Sequence, residues 1–226
     1  FNCFFVGAAV GESAGRRAEG WGETPLSVTW AWPSATLSYE ERYEVMVAFC
    51  QFAAQAFVEL NEPGHPMEIG HAFLEDRLPA VLEAFNQNYS AEPMPYLAAL
   101  IVMSAFDIAI HDAYGNLYQI DIYDTYNSEY MTHDLSYYFR SSPEANRFKG
   151  MFPNDFLELQ PPVKVPVWHL VGGLDPLEAS DKKETDPNDG YPVALTEWIK
   201  SDGLQCLKIK LKGTDPRWDY ERIVKV

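Results

Sequence analysis

The stretch that most constrains the fold is residues 206–213, with the sequence Cys-Leu-Lys-Ile-Lys-Leu-Lys-Gly. It follows a short helical pattern that ends at Gly203. It precedes Asp215-Pro216, a pair typical of a helix start, where Asp caps the helix and Pro takes its first position. A strand between two helices is the repeating unit of a parallel sheet. Because alternate side chains of a strand share a face, the three lysines point one way and the three aliphatic residues the other.

The lysine face has two interpretations. On an edge strand, lysines prevent unwanted pairing with other chains. Alternatively, Lys208, Lys210 and Lys212 point into a barrel and act at its mouth, because a neighbouring cation turns a lysine into a better base. The spacing of the lysines alone leaves both interpretations open.

The charge balance narrows the range of partners. The chain has 226 residues and a formal net charge of −16. Nucleic acids and acidic lipid surfaces attract basic proteins, so we expect neither a nucleic-acid partner nor a membrane. A hydrophobic content of 47% is sufficient for a core. We expect no apolar run that is long and charge-free enough to span a bilayer.

Cysteine usage bears on the cellular compartment. The three cysteines are widely spaced and odd in number, which indicates a reducing compartment and no disulfide framework. The first residues lack the basic segment of a signal peptide, so we predict a cytoplasmic protein. Because the chain opens without Met and inside an apolar stretch, we expect its true beginning to lie upstream.

Residues 1–118 predict two strands followed by three helices. The sequence Ser38-Tyr39-Glu40-Glu41 is a capping box that opens a helix to about residue 60. A second helix is expected over 68–86, with a kink at Pro79. The third, over 96–115, is apolar nearly all round and should be the most buried.

Two groups of residues in this part have both a structural and a functional interpretation. Trp30 and Trp32 lie in a predicted loop, where they could wall a substrate site, although packing flat on the sheet is the favoured use. Asp107 and His111 are neighbours at spacing i, i+4 near the polar end of the third helix. For them a satisfied structural pair is favoured over a catalytic one.

The remainder of the chain divides into an irregular segment and a second α/β pattern. Residues 119–162 are long for a connection and should contain short helices, at 135–139 and 154–159. Residues 163–171 predict a buried strand, 193–201 a helix, and 218–226 the start of another. The acidic loop at 174–190 lacks the ligand spacing of a calcium loop.

Four stretches, in order, resemble motifs of the enolase superfamily. Gly20-Trp21-Gly22-Glu23 resembles the G-x-G-E that ends its capping-domain sheet, and residues 104–115 resemble its A-x-D-x-A-L-x-D-x-x-G helix. Residues 165–168 are similar to its first barrel strand. Lys208-Ile209-Lys210 resembles the K-x-K of the second strand in the mandelate racemase and muconate lactonizing enzyme branches.

The resemblance implies a domain organisation. Residues 1–118 would form the α+β capping domain, 119–162 a linker with short helices, and 163–226 the first two βα units of an α/β barrel. That barrel is a modified TIM-type (β/α)8 barrel. About 250 residues are needed to close one, so it would be incomplete in this chain.

The resemblance also implies a function. Such enzymes depend on Mg²⁺ and remove the proton α to a carboxylate, as racemases, epimerases, cycloisomerases or acid-sugar dehydratases. By motif match Lys210 is the base and Lys208 the neighbouring cation, while Lys212 leaves a second possible register. The magnesium ligands are expected beyond residue 226, so no metal ligand is assigned here. The substrate would be a small-molecule carboxylate, and a homo-oligomer is allowed.

Two alternatives belong to other functional classes. The chain could be a non-catalytic fragment or interaction module that keeps the capping fold. It could also be an α+β binding domain whose Trp30/Trp32 loop holds a small ligand. Acidic residues on later strands would favour the enzyme, and a ligand-induced change in tryptophan fluorescence would favour the binding domain.

Overall fold

The computed structural model describes residues 3–11, 15–60, 62–88, 92–158 and 160–226. The chain forms two compact units, Phe1–Glu158 and Leu159–Val226. Residues 119–158, predicted as a linker, therefore belong to the first unit.

The first unit starts with an antiparallel hairpin of β1 (Cys3–Gly11) and β2 (Arg17–Pro25), in which Gly7 faces Trp21. A short helix α1 (Val28–Ala31) and the long helix α2 (Tyr39–Val58) follow. The predicted capping box is confirmed: the Glu41 N–H donates to Ser38 Oγ at 3.2 Å, and the Ser38 N–H donates to Glu41 Oε2 at 2.7 Å.

The predicted second helix consists of three parts. Helix α3 (Pro66–Ala72) passes into a π-helical turn (Phe73–Arg77) and then into α4 (Leu78–Asn86). The helix is interrupted in this region, but the prediction that Pro79 kinks it is wrong. Pro79 lies in the first turn of α4, where a missing N–H costs little, and the irregularity is the π turn before it.

Helix α5 (Tyr96–Tyr118) is the core of the first unit. Ten of its 23 residues are buried, compared with five of 20 in α2, so the prediction that it is the most buried helix is confirmed. It is also long and apolar enough to cross a membrane by length and composition, which corrects our expectation for the described residues. Half of the residues in its most apolar 18-residue stretch are buried within the protein.

Short elements follow α5 in the first unit. They are 3₁₀ turns at Ile122–Thr125, Ala145–Phe148 and Pro153–Phe156, and a one-turn helix α6 (Leu135–Tyr138). Asp121 and Asp134 cap the first 3₁₀ turn and α6 through their side chains.

The second unit contains β3 (His169–Val171), a 3₁₀ turn (Ala179–Asp181), α7 (Leu195–Asp202), β4 (Leu207–Ile209) and α8 (Pro216–Lys225). Both strands are shorter than predicted. Each pairs only with the other within the described residues, and the chain before His169 is exposed, with Val163 fully so. Pro166 has no N–H to donate, which also weakens pairing there.

Candidate functional site

The two strands of the second unit are parallel. His169 pairs with Leu207, and Val171 pairs with Ile209. The His169 N–H donates to the Cys206 carbonyl and the Lys210 N–H to the Val171 carbonyl, both at 2.9 Å. The predicted parallel pairing is confirmed, and the hydrogen bonds reach as far as Lys210.

The strand pair has one apolar and one polar face. Val171 is buried with Leu177 and Leu195, and Leu207 packs against this cluster. Lys208 and Lys210 are exposed, while Leu207 and Ile209 are partly buried. This alternation agrees with the prediction that the two lysines share the face opposite the core. Leu170, the pairing partner of Lys208, is 45% exposed.

Lys212 has a different environment from the other two lysines. Its ammonium group lies 3.9 Å from the centroid of the Trp218 ring, a cation–π contact. The backbone N–H groups of Lys212 and Gly213 donate to the Asp219 carboxylate at 2.8 and 2.9 Å. Lys212 is thus held against α8, whereas no described residue forms an ion pair with Lys208 or Lys210.

The start of α8 matches the prediction from Asp215-Pro216. The Trp218 N–H donates to Asp215 Oδ1 at 3.1 Å, and Pro216 is the first helical residue. The residues that end the lysine stretch and begin α8 could therefore be identified from the sequence alone.

The loop after β3 is fixed by hydrogen bonds. The Gly172 N–H donates to Asp175 Oδ2 at 2.6 Å, and Arg222 Nη2 donates to the Asp175 carbonyl at 2.9 Å and to the Gly172 carbonyl. This loop lies at the carboxyl end of a parallel strand, the edge at which α/β proteins bind substrates. A loop held by these hydrogen bonds beside the strand that carries the lysines suits a binding site.

The residues described here do not fit a metal ion. Within residues 3–11, 15–60, 62–88, 92–158 and 160–226, no three His, Cys, Asp or Glu side chains come together as a ligand set. The Mg²⁺ implied by the resemblance therefore has no site among them, and no chemical step is derived through it.

The two tryptophans predicted at a substrate site are in different environments. Trp32 is 1% exposed, and its Nε1 donates to Glu92 at 2.8 Å. Ser34 and Thr36 hydroxyls also donate to the Glu92 carboxylate, at 2.7 and 2.6 Å, and these bonds lower its pKa. Trp30 is 66% exposed. Instead of a loop, this segment contains α1, so the two rings do not form a common wall.

One histidine, His65, has a buried structural position that no sequence pattern indicated. His65 is fully buried and caps α3, since its Nδ1 accepts the Met67 N–H at 3.1 Å. Its proton must therefore be on Nε2, which donates to Thr125 Oγ1 at 2.8 Å, and Thr125 donates to the Ile122 carbonyl at 2.5 Å. Burial, with a smaller contribution from His111, lowers the pKa of His65 to about 4.

Asp107 and His111 contact each other across one turn of α5. The His111 Nδ1–H donates to the Asp107 carbonyl at 2.7 Å, and the carboxylate oxygen is 3.6 Å away. His111 also lies edge-on to the His65 ring, with centroids 6.1 Å apart. Partial burial raises the pKa of Asp107, and His111 opposes that shift. These contacts fit the structural interpretation of the pair.

A groove in the first unit is a further feature that sequence patterns did not indicate. It has a volume of about 1050 Å³ and runs along β1 over helix residues that include Ala54 and Phe57. The uninterrupted run of apolar residues and glycines in β1 was its only sequence signal.

Comparison with known proteins gave no match for this chain among protein-family models, curated proteins or solved structures.

Proposed function

We propose that this chain is part of a Mg²⁺-dependent enzyme of the enolase superfamily type, which removes the proton α to a carboxylate. The reaction class is that of a racemase or epimerase, a cycloisomerase or an acid-sugar dehydratase. In this proposal the first unit is the capping domain and the second contains the first two βα units of the barrel.

The contact between two of the resembling motifs supports the proposal. A Cβ atom at Gly20 would lie 2.1 Å from the Ala113 nitrogen, and one at Gly22 would lie 2.0 Å from the Ala105 carbonyl oxygen. Only glycine allows β2 to approach α5 this closely. The Trp21 N–H donates to Asp112 Oδ2 at 2.8 Å. The glycine motif and the helix motif therefore depend on each other for packing.

The observation that carries the proposal is the exposed pair of lysines beside a parallel strand. Lys208 and Lys210 share the face away from the core, near the carboxyl ends of β3 and β4. Barrel active sites lie at that end of the strands. The cation–π contact of Lys212 with Trp218 favours Lys208 and Lys210 as the catalytic pair.

Each lysine has a distinct role in the proposed reaction. Lys210, as the neutral amine, takes the proton from the carbon next to the carboxylate. Lys208 supplies an ammonium group, which attracts the substrate carboxylate. The exposed Leu170 beside Lys208 offers an apolar surface to the substrate.

The test is solvent deuterium exchange at the α-carbon of a panel of 2-substituted carboxylates, with the protein that carries this chain. Lys210→Ala should abolish exchange and leave the circular dichroism spectrum unchanged, because its side chain is exposed. Lys212→Ala, two residues away, is the matched control and should retain exchange. Loss of exchange in Lys212→Ala alone would mean that Lys210 and Lys212, rather than Lys208 and Lys210, are the catalytic pair. Unchanged exchange in both variants would mean that the strand lysines have a structural role.

A non-catalytic binding module is the second candidate. The apolar groove in the first unit favours it, since such a groove suits a ligand or partner independently of the lysines. Absence of exchange across the panel, together with saturable binding at the groove, would support this candidate instead.

A further inference from the structure

A second cavity lies inside the first unit, between α5 and the segment that α3 and the π-helical turn form. It has a volume of about 210 Å³. Its walls come from Phe57 of α2, from Gly70, Phe73 and Leu74 on one side, and from four residues of α5 on the other. Phe57 is its one residue in common with the groove along β1. The cavity is therefore built by helices and does not depend on the β1–β2 hairpin for its walls.

One face of α5 forms the long wall of the cavity. Leu100, Met103, Ser104 and Asp107 follow the spacing i, i+3, i+4, i+7, so they share a face of the helix over about 10 Å. The Ser104 hydroxyl already donates to the Ile101 carbonyl at 2.7 Å, which leaves Asp107 as the polar end of this wall. A cavity of this size with apolar walls can hold a small hydrocarbon group.

The Asp107 carboxylate can accept further hydrogen bonds. The basic side chain beside it is His111, whose Nδ1 lies 3.6 Å from the carboxylate and already donates its proton to the Asp107 carbonyl at 2.7 Å. Among the described residues, no lysine or arginine forms an ion pair with this carboxylate. Partial burial raises the pKa of Asp107, and a bound cation would oppose that shift.

The wall opposite α5 has two unusual features. A Cβ atom at Gly70 would lie 2.7 Å from Asp107 Oδ1, so the missing side chain lets the carboxylate lie against α3. Glycine destabilises the interior of a helix relative to alanine, so this position gives up stability to make the space. Phe73 and Leu74 belong to the π turn, an irregularity that is often found at functional sites.

We propose that this cavity binds a small primary amine, whose ammonium group pairs with Asp107 and whose apolar tail lies between α5 and the π turn. The formal net charge of −16 supports a cationic ligand, because it raises the concentration of cations near the protein. This role goes beyond the proposed enzymatic function and is independent of the strand lysines.

The exposure of the walls determines the orientation of the amine. The Asp107 side chain is 52% exposed, whereas Phe73 and Met103 are 1% and 4% exposed. The ammonium group therefore stays at the mouth of the cavity and the tail enters first. A lysine side chain of another protein has its ammonium group at the free end and would carry that charge past the apolar walls. A free amine is thus favoured over a lysine.

The first experiment titrates the full chain with hexylamine and follows the methyl signals of Leu74, Leu100 and Met103 by nuclear magnetic resonance. At pH 7 this amine is an ammonium ion, as a lysine side chain is. It should shift these signals saturably and bind about tenfold more tightly than hexanol, which cannot form the charge-assisted hydrogen bond. Equal affinity for the two compounds, or no shift of these signals, would overturn the proposal.

Two further compounds test the sign of the charge and the orientation. Hexanoate, which has the same tail and the opposite charge, should not shift the methyl signals. Nα-acetyl-lysine methylamide should not shift them either. Binding of the lysine compound as tightly as hexylamine would make a lysine of a partner protein the occupant and would overturn the proposal.

Variants of the chain separate the carboxylate from general charge attraction. Asp107→Asn keeps the shape of the side chain and should weaken hexylamine binding about tenfold while hexanol binds as before. Glu75→Gln removes the same charge from the residue after Leu74, outside the cavity, and should bind hexylamine as wild type does. Equal weakening in both variants would refute the role of Asp107, as would wild-type binding by Asp107→Asn.

Gly70→Ala tests the same contact from the opposite wall. Its methyl group would displace the Asp107 carboxylate, so hexylamine binding should weaken while hexanol still binds. Because alanine is the better helix former, the variant should keep the circular dichroism spectrum of the wild type. If Asp107→Asn fails to fold, Gly70→Ala decides, and wild-type affinity of this variant for hexylamine would refute the proposal.

Discussion

Acidification should destabilise the first unit through His65. The ring is fully buried and donates from Nε2 to Thr125 while Nδ1 accepts the Met67 N–H. A second proton on the ring would break the bond from Met67. His111 lies 6.1 Å from the ring and opposes a second proton there by charge repulsion. The Tyr114 and Tyr126 rings, which also contact His65, have no negative charge to balance that proton. Glu68 accepts the His65 backbone N–H and holds the residue in place.

The magnitude follows from proton linkage. The pKa of His65 falls from 6.5 in the unfolded chain to about 4 in the folded state. The unfolded state therefore binds more protons between these values, and stability rises with pH across that window. Stability from His65 is complete above pH 6.5 and lost as the pH falls toward 4. Between pH 7 and pH 5, the loss in free energy of unfolding is about 2 kcal/mol.

The assay is urea unfolding at pH 7 and pH 5, followed through the helical circular dichroism signal. The control is His65→Asn, because Asn still caps a helix but does not titrate. Wild type should lose about 2 kcal/mol more than the variant on acidification. Equal losses in the two proteins, or a nuclear magnetic resonance titration of the His65 ring near pH 6.5, would refute the reasoning.

Three further predictions concern packing and metal binding. Gly22→Ala should lower the free energy of unfolding by about 3 kcal/mol, because the added Cβ would meet the α5 backbone. Gly7→Ala should lower it by less than about 1 kcal/mol, because the added Cβ would meet only the movable Trp21 ring; thermal unfolding compares the two variants. Ala105→Leu should overpack the fully buried side of α5 and cost about 1–3 kcal/mol, and an unchanged melting temperature would contradict this. Calorimetry on this chain should detect no stoichiometric Mg²⁺ site, because no three His, Cys, Asp or Glu side chains of the described residues come together; a defined site would contradict this.

Local signals in the sequence predicted local structure well. The capping box at Ser38 and the start of α8 at Asp215 involve residues three apart, so the sequence alone determines their hydrogen bonds. The parallel pairing of β3 and β4 was also predictable, because a strand–helix–strand pattern has few solutions. The strand lengths were not, because they depend on neighbouring strands.

Features that depend on distant contacts could not be predicted. His65 and Thr125 are 60 residues apart, and nothing in the sequence near either one specifies their hydrogen bond. The hydrogen bond from the Trp21 N–H of β2 likewise requires Asp112, which is 91 residues away. Patterns of hydrophobicity reveal which face of an element is buried, but they do not identify which polar groups meet across the fold.

The π-helical turn between α3 and α4 allows the first unit to hold one extra residue without changing how the two helices face the core. A π turn sweeps about the same angle as an α turn but contains one residue more, so the helices before and after it keep their phase. Deleting one residue from Phe73–Arg77 should therefore give a continuous α-helix in which Gly70 still faces Asp107, whose carboxylate oxygen lies 2.7 Å from the position of the Cβ that Gly70 lacks. Deleting one residue from within α4 would instead rotate the parts on either side of the deletion by about 100° relative to each other. The π turn is thus the place in this helical segment where the chain length can change by one residue and the buried faces are kept.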